Sequence, residues 1–124
     1  MKRAIRITTA GEVTELDLST NALAQLQEAV GGLVQAIDLT ERLTLWCNEE
    51  GKLLEQAHNP YAQYFWDKTF GAYTDYMVGD VVFTGGTDDS GNTLGLTDEQ
   101  VDWVLYFAGR VREFVQPNIS VFNS

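Results

Sequence analysis

Two adjacent glycines, Gly31-Gly32, stand between a stretch of helical period and two runs that alternate apolar with polar residues, and this arrangement constrains the fold most. A glycine in the left-handed conformation ends a helix without a Cβ penalty, so the chain must turn there and begin something new. From Leu33 to Leu39 an extended chain sets Leu33, Ile37 and Leu39 on one side and Val34, Ala36 and Asp38 on the other. After the Thr40-Glu41 link, Leu43, Leu45 and Cys47 alternate with Thr44, Trp46 and Asn48, the two-residue period of a strand with one inward face. The pair reads as a hairpin. Asn48-Glu49-Glu50-Gly51-Lys52 closes it as a tight turn, because Asn starts turns through its own side chain and Gly accepts positive φ. A further short strand is expected over Leu53 to Gln56.

The flanking segments extend this pattern. Ile5 and Ile7 oppose Arg6, Leu16 and Leu18 oppose Glu15 and Asp17, and Ala10-Gly11 lies between, which predicts an N-terminal hairpin. Ser19, Thr20 or Asn21 can cap a helix whose inner side carries Leu23, Leu26 and Val30. Asn59-Pro60 starts a second helix, with Tyr61, Tyr64 and Phe65 on one side, and Gly71 ends it. Val78 to Thr84 is a strand with Val81 and Phe83 on one side, followed by a polar loop from Gly85-Gly86 to Gly95. Thr97 and Gln100 form a capping box for the last helix, and Asp98 and Glu99 suit the positive end of its dipole. The inner stripe of that helix is Val101, Val104, Leu105, Ala108, Val111 and Val115. Pro117 closes it, leaving 118–124 as a tail. The expectation is one α+β domain over 1–124: a mixed or antiparallel sheet of about five strands, two to three helices chiefly on one face, in the order β-β-α-β-β-α-β-α.

Charge and cysteine usage limit the chemistry. Against 18 acidic side chains there are 8 basic ones, a net charge of -10, which opposes the phosphate contacts that nucleic-acid binding needs. The single cysteine allows no internal disulfide and no zinc site built on cysteine pairs, and it fits a reducing compartment. Met1 to Ala10 mixes charge with apolar residues, unlike a leader, and no run reaches membrane-spanning length. A soluble, cytoplasmic protein is expected, in the host cell if the gene is carried by a virus.

Val30-Gly31-Gly32, the turn Asn48 to Lys52, Asn59-Pro60 followed by Ala62, and Val78-Gly79-Asp80-Val81-Val82 occur in that order. Together they resemble an uncharacterised family of small proteins common in bacteriophages of actinobacteria and in bacterial mobile elements. The resemblance covers roughly Ile5 to Gly86 and consists of turn motifs. An aromatic-rich segment before Val78 and a long helix after Gly95 depart from the pattern. It implies a genetic context and hardly any mechanism, since the family has no established activity.

Several constellations have both a functional and a plain structural reading. Cys47 and His58 could form a nucleophile pair, but Cys47 shares its strand side with Leu43 and Leu45, where a thiol behaves as a small buried hydrophobe. Asp88, Ser90, Asn92 and Glu99 have the spacing of a calcium loop, yet Thr93 replaces the glycine that lets such a loop turn, so a solvated connection is the better reading. Asp88 and Asp89 would likewise repel a phosphate held at Gly85-Gly86. No cofactor or metal is expected.

The rings carry the strongest signal. Seven of the chain's fourteen aromatic residues lie between Tyr61 and Tyr76, more than one helix face can bury. Core packing is the structural reading for Tyr64, Phe65 and Phe70. Tyr61, Trp66, Tyr73 and Tyr76 are the candidates for partner contact, since Tyr and Trp dominate binding hot spots. Trp103 and Phe107, with Phe114, form a second stripe on the last helix, to be covered by Ile119, Val121 and Phe122 or by another subunit in a homodimer. The leading expectation is a non-enzymatic accessory protein that recognises a host protein through the aromatic segment and its acidic surface. Two alternatives are a small-molecule or nucleotide-signal binder whose rings stack on a base, and an acidic mimic of DNA that inhibits a DNA-binding enzyme.

Overall fold

A computed structural model describes residues 1–115. Its element order is β1 (Arg3–Ile7), β2 (Val13–Asp17), α1 (Ala22–Val30), β3 (Val34–Thr40), β4 (Leu43–Asn48), α2 (Pro60–Phe70), β5 (Val81–Gly85) and α3 (Asp98–Val115). All five strands form one antiparallel sheet in the order β2-β1-β5-β4-β3. The two hairpins flank β5, which enters last and is buried along its whole length. This is the α+β fold expected, wholly antiparallel rather than mixed.

Strand alternation sends successive side chains to two different layers. Ile5, Ile7, Leu43, Leu45, Cys47, Val81 and Phe83 face α2 and α3, meeting Tyr61, Ala62 and Phe65 of one helix and Val101, Val104, Ala108 and Val111 of the other. Ala4 and Val82 face the opposite way, toward Leu26, Ala29 and Val30 of α1, with Trp46 packed alongside. Helices therefore cover both faces, two on one and one on the other.

The turn motifs act as joints between these layers. Gly31 takes φ 79° and its amide reaches back to the Gln27 carbonyl. Asn48 then ties the end of α1 to the end of β4, donating to the Val30 carbonyl at 3.2 Å and accepting from the Glu50 amide at 2.8 Å. Asn59 is sealed from solvent. Its carboxamide oxygen accepts from the amides of Tyr61 and Ala62, and its Nδ2 donates to the carbonyls of Ile7 and Gly79. One side chain thus caps α2 and fastens it to the sheet. Gly86 allows a different kind of approach: a Cβ there would collide with the Glu41 carbonyl.

Some local expectations give way to packing. Residues 51–55 form turns instead of a strand, with the Gln56 amide bonded back to the Gly51 carbonyl, and regular pairing in β5 begins at Val81 rather than Val78. Asn21 precedes α1 in the left-handed conformation and makes no side-chain cap. Leu23, Leu105 and Val115 are exposed because α1 and α3 each bury a narrower stripe than their apolar residues could fill, and Leu33, expected on the inner side of its strand, lies before β3 begins and is exposed as well. Thr97 and Gln100 do form the reciprocal capping box, at 3.0 and 3.1 Å. Pro117 and the tail residues Ile119, Val121 and Phe122 lie outside the described residues.

Candidate functional site

The aromatic residues divide into three groups once the helices are placed. Tyr61, expected on the surface, is instead 1% exposed. Asn59 and Pro60 set the first turn of α2 so that Tyr61 points beneath the N-terminal hairpin, where a Cβ on Gly11 would overlap the phenol ring. Arg112 lies 5.8 Å over that ring and donates to the Gly11 carbonyl, closing the site from outside.

The second group spans the seam between α2 and α3. Phe65 is buried and meets Phe83 below it at 4.8 Å and Trp103 beside it at 5.5 Å. Tyr64 stacks on Phe107 at 5.4 Å, and Phe107 meets both Trp103 and Tyr106 edge-on. Lys68 sits over Tyr64 and Phe107, at 5.6 and 5.3 Å, an arrangement attractive to the ring quadrupoles. Rings on the outer side remain open to solvent: Trp103 is 40% exposed, Tyr106 57% and Phe114 87%. Along this seam Pro60, Tyr64, Tyr106, Phe107, Val111 and Phe114 line a largely apolar groove of about 660 Å³, with His58, Asp67 and Arg110 at its polar margin.

The third group walls a smaller cleft of about 430 Å³ beside β3. Ile37, Cys47, Trp66, Tyr76 and Met77 line it, with Tyr76 more than half exposed. The Trp66 indole donates to Thr74 Oγ1 at 2.8 Å, holding the loop that follows α2. Lys52 pairs with Asp75 and lies 4.7 Å over the Tyr76 ring. Tyr73, on the same loop, is fully exposed and has φ 66°, a left-handed conformation costly for a bulky residue. Phe70, expected in the core, is half-exposed and packs on Trp66 at 4.3 Å.

The residues considered for chemistry have structural employment. Burial pushes the Cys47 thiol up to about 11, so it stays protonated, and His58 bonds to Gln63 in a loop on the surface. Asp88 accepts from the amides of Ser90 and Asn92, which holds its carboxyl below the usual range and folds the polar loop on itself. Gly85 and Gly86 admit neighbouring backbone, Gly85 against Gly95 and Gly86 against Glu41. Among the described residues no group of three His, Cys, Asp or Glu side chains could hold a metal ion. Nor is any described helix long and apolar enough to cross a membrane.

A family model for a domain of unknown function, DUF3846, matches residues 1–110. The chain belongs to this family. The match takes in all five strands, α1, α2 and most of α3, so it extends beyond the turn motifs into the aromatic segment and the last helix. No curated protein and no solved structure matches the chain. Those motifs are joints in the structure: the Gly31 stop, the Asn48 turn and the Asn59 cap each close a connection between layers, and Asp80 pairs with Arg6 at 2.7 Å. The open rings lie elsewhere, on the seam and on the loop after α2. Periodicity could separate Phe65 from Trp66, but a groove between residues forty positions apart in sequence has no local signal.

Proposed function

We propose that this protein is an accessory protein of phage type that works by binding another protein, a host protein in that setting, through the aromatic surface of α2, α3 and the 71–76 loop. One observation carries the reading. The core under α2 and α3 is closed by Tyr61, Phe65 and Phe83, and a second layer of rings continues outward to solvent through Trp103, Tyr106, Phe114 and Tyr73. Exposed Tyr and Trp beside apolar grooves are the usual substance of protein-recognition hot spots. The net charge of -10 carried by the whole chain favours a basic partner surface and a faster encounter. Capture on immobilised protein from a lysate of the bacterium that carries the gene tests this. Wild type recovers a defined partner, and Trp103→Ala combined with Tyr73→Ala reduces recovery at least tenfold. Recovery of nothing above background by wild type overturns the reading.

The size of the seam groove favours one second reading. About 660 Å³ lies within the range of small-molecule sites, and stacked rings with Arg110 at the margin could hold a planar ligand such as a nucleobase. A rise in melting temperature with a nucleotide, lost in Phe107→Ala, would support it.

A further inference from the structure

The sheet has two outer strands, and their free edges differ in kind. In the β1–β2 hairpin the Leu18 amide bonds to the Lys2 carbonyl, so alternation turns the amides of Val13, Glu15 and Asp17 outward. That edge is guarded by carboxylates: Glu15 pairs with Arg3, and Asp17 folds back on Ser19 and the Lys2 amide. On the other side the Glu49 amide bonds to the Leu33 carbonyl at 2.8 Å, so Gln35 and Ile37 spend their amides on β4 while Val34, Ala36 and Asp38 turn theirs outward. Among the described residues nothing pairs with these groups, and no lysine or proline blunts the segment before its bulge at Asp38/Thr40. The 430 Å³ cleft opens directly beside it, on the face to which Ile37 points.

We infer that β3 receives an extended segment of a partner protein as a sixth strand, with one bulky apolar side chain of that segment seated in the cleft against Ile37, Trp66 and Tyr76 and basic residues flanking it. This rests on the binding role proposed above and specifies its mode. Main-chain hydrogen bonds from Val34, Ala36 and Asp38 supply the affinity, and the cleft selects among alternate side chains, as in other cases of strand addition. Charge chooses the occupant. Glu49 rims the site, Asp75 is already matched by Lys52, and the whole chain carries -10, so a basic segment is attracted whereas a second copy would bring the same negative charge against itself.

A displayed library of random nonapeptides, selected on the full chain, provides the probe. Selected peptides should alternate apolar residues, lack proline and carry Lys or Arg near their ends. With the most enriched peptide bound, amide exchange at Val34, Ala36 and Asp38 slows at least tenfold while Gln35 and Ile37, already paired, change little. Ala36→Pro removes one outward N–H without touching the ladder to β4 and reduces affinity at least tenfold. Should that variant fold poorly, N-methylation of the peptide at alternate residues makes the same test on wild type, abolishing binding in one phase and sparing it in the other. The inference is overturned if no peptide is enriched, or if enriched peptides perturb Trp103 and Phe107 and leave the β3 amides exchanging freely. Protection of those amides in the free protein also overturns it: dependence on protein concentration would assign the edge to a second copy, and independence would mean it is already covered. A wild-type protein that captures its partner unaltered by Ala36→Pro defeats strand addition alone, while failure to capture any partner defeats the broader reading.

Discussion

The two faces of the sheet are closed by very different means. On one, the nine residues of α1 suffice: Leu26, Ala29 and Val30 meet Ala4, Leu18 and Val82, and among the described residues the only ring in this layer is Trp46, whose indole donates to Thr84 at 2.9 Å. On the other, α2 and α3 bring eleven and eighteen residues, seal Tyr61 and Phe65 against Phe83, and then continue with rings that reach water. Burial of apolar area stabilises a fold only while water is being excluded, so the first layer accounts for the fold and the outer rings do not. The contrast separates residues that hold the molecule together from residues available to a partner.

The sharpest test of that contrast is Phe65→Ala, which removes the ring that joins both helices to β5. A loss of about 4 kcal/mol is expected in denaturant unfolding, against about 3 kcal/mol for Leu26→Ala on the α1 face. Equal or reversed losses would show that the ring-rich face is not the heavier support. Asn59→Ala should cost about 3 kcal/mol, since it removes the α2 cap and leaves the Ile7 and Gly79 carbonyls short of a donor. Beneath the same face, the Cys47 thiol at about 11 should alkylate at pH 8 at least about a hundredfold more slowly than a free cysteine, and recover normal reactivity in denaturant. In contrast, Trp103→Ala or Tyr106→Ala should change stability by no more than about 1 kcal/mol while diminishing partner capture. A large stability loss there would return these rings to the core.

The smallest expected effect is electrostatic. The Ser19 hydroxyl and the amides of Lys2 and Ser19 lower the Asp17 carboxyl to about 2, from an ordinary value of about 4. A depressed folded value means that its contribution is present above about pH 4 and is lost as pH falls through about 2. Asp17→Asn should therefore lower stability slightly in the neutral region, leave it unchanged below about pH 2, and so flatten the acid limb of a stability profile.

Much of the scaffold was legible because its signals are local. Alternation announced β3 and β4, Asn59-Pro60 announced α2, and Thr97 with Gln100 announced α3, each through a hydrogen bond or a torsion satisfied within a few residues. Where local signals failed, a distant neighbour had intervened. The run from Leu53 to Gln56 has a strand-like start, but the Gln56 amide bonds back to the Gly51 carbonyl and the segment turns instead. Tyr61 has the look of a contact residue until the N-terminal hairpin and Arg112 fold over it. Phe70 has the look of a core residue until α2 ends at Gly71, at the margin of the sheet.

By itself the sequence determined the order of elements, the inward side of each strand, the caps of α2 and α3 and the excess of rings, because each follows from backbone torsion and from the partition of apolar side chains. Only the tertiary structure decided which rings are sealed, which helices share a face, and that β3 rather than β5 lies at the edge. Those outcomes depend on how segments far apart in the chain exclude water from one another, and no stretch of residues carries that information alone.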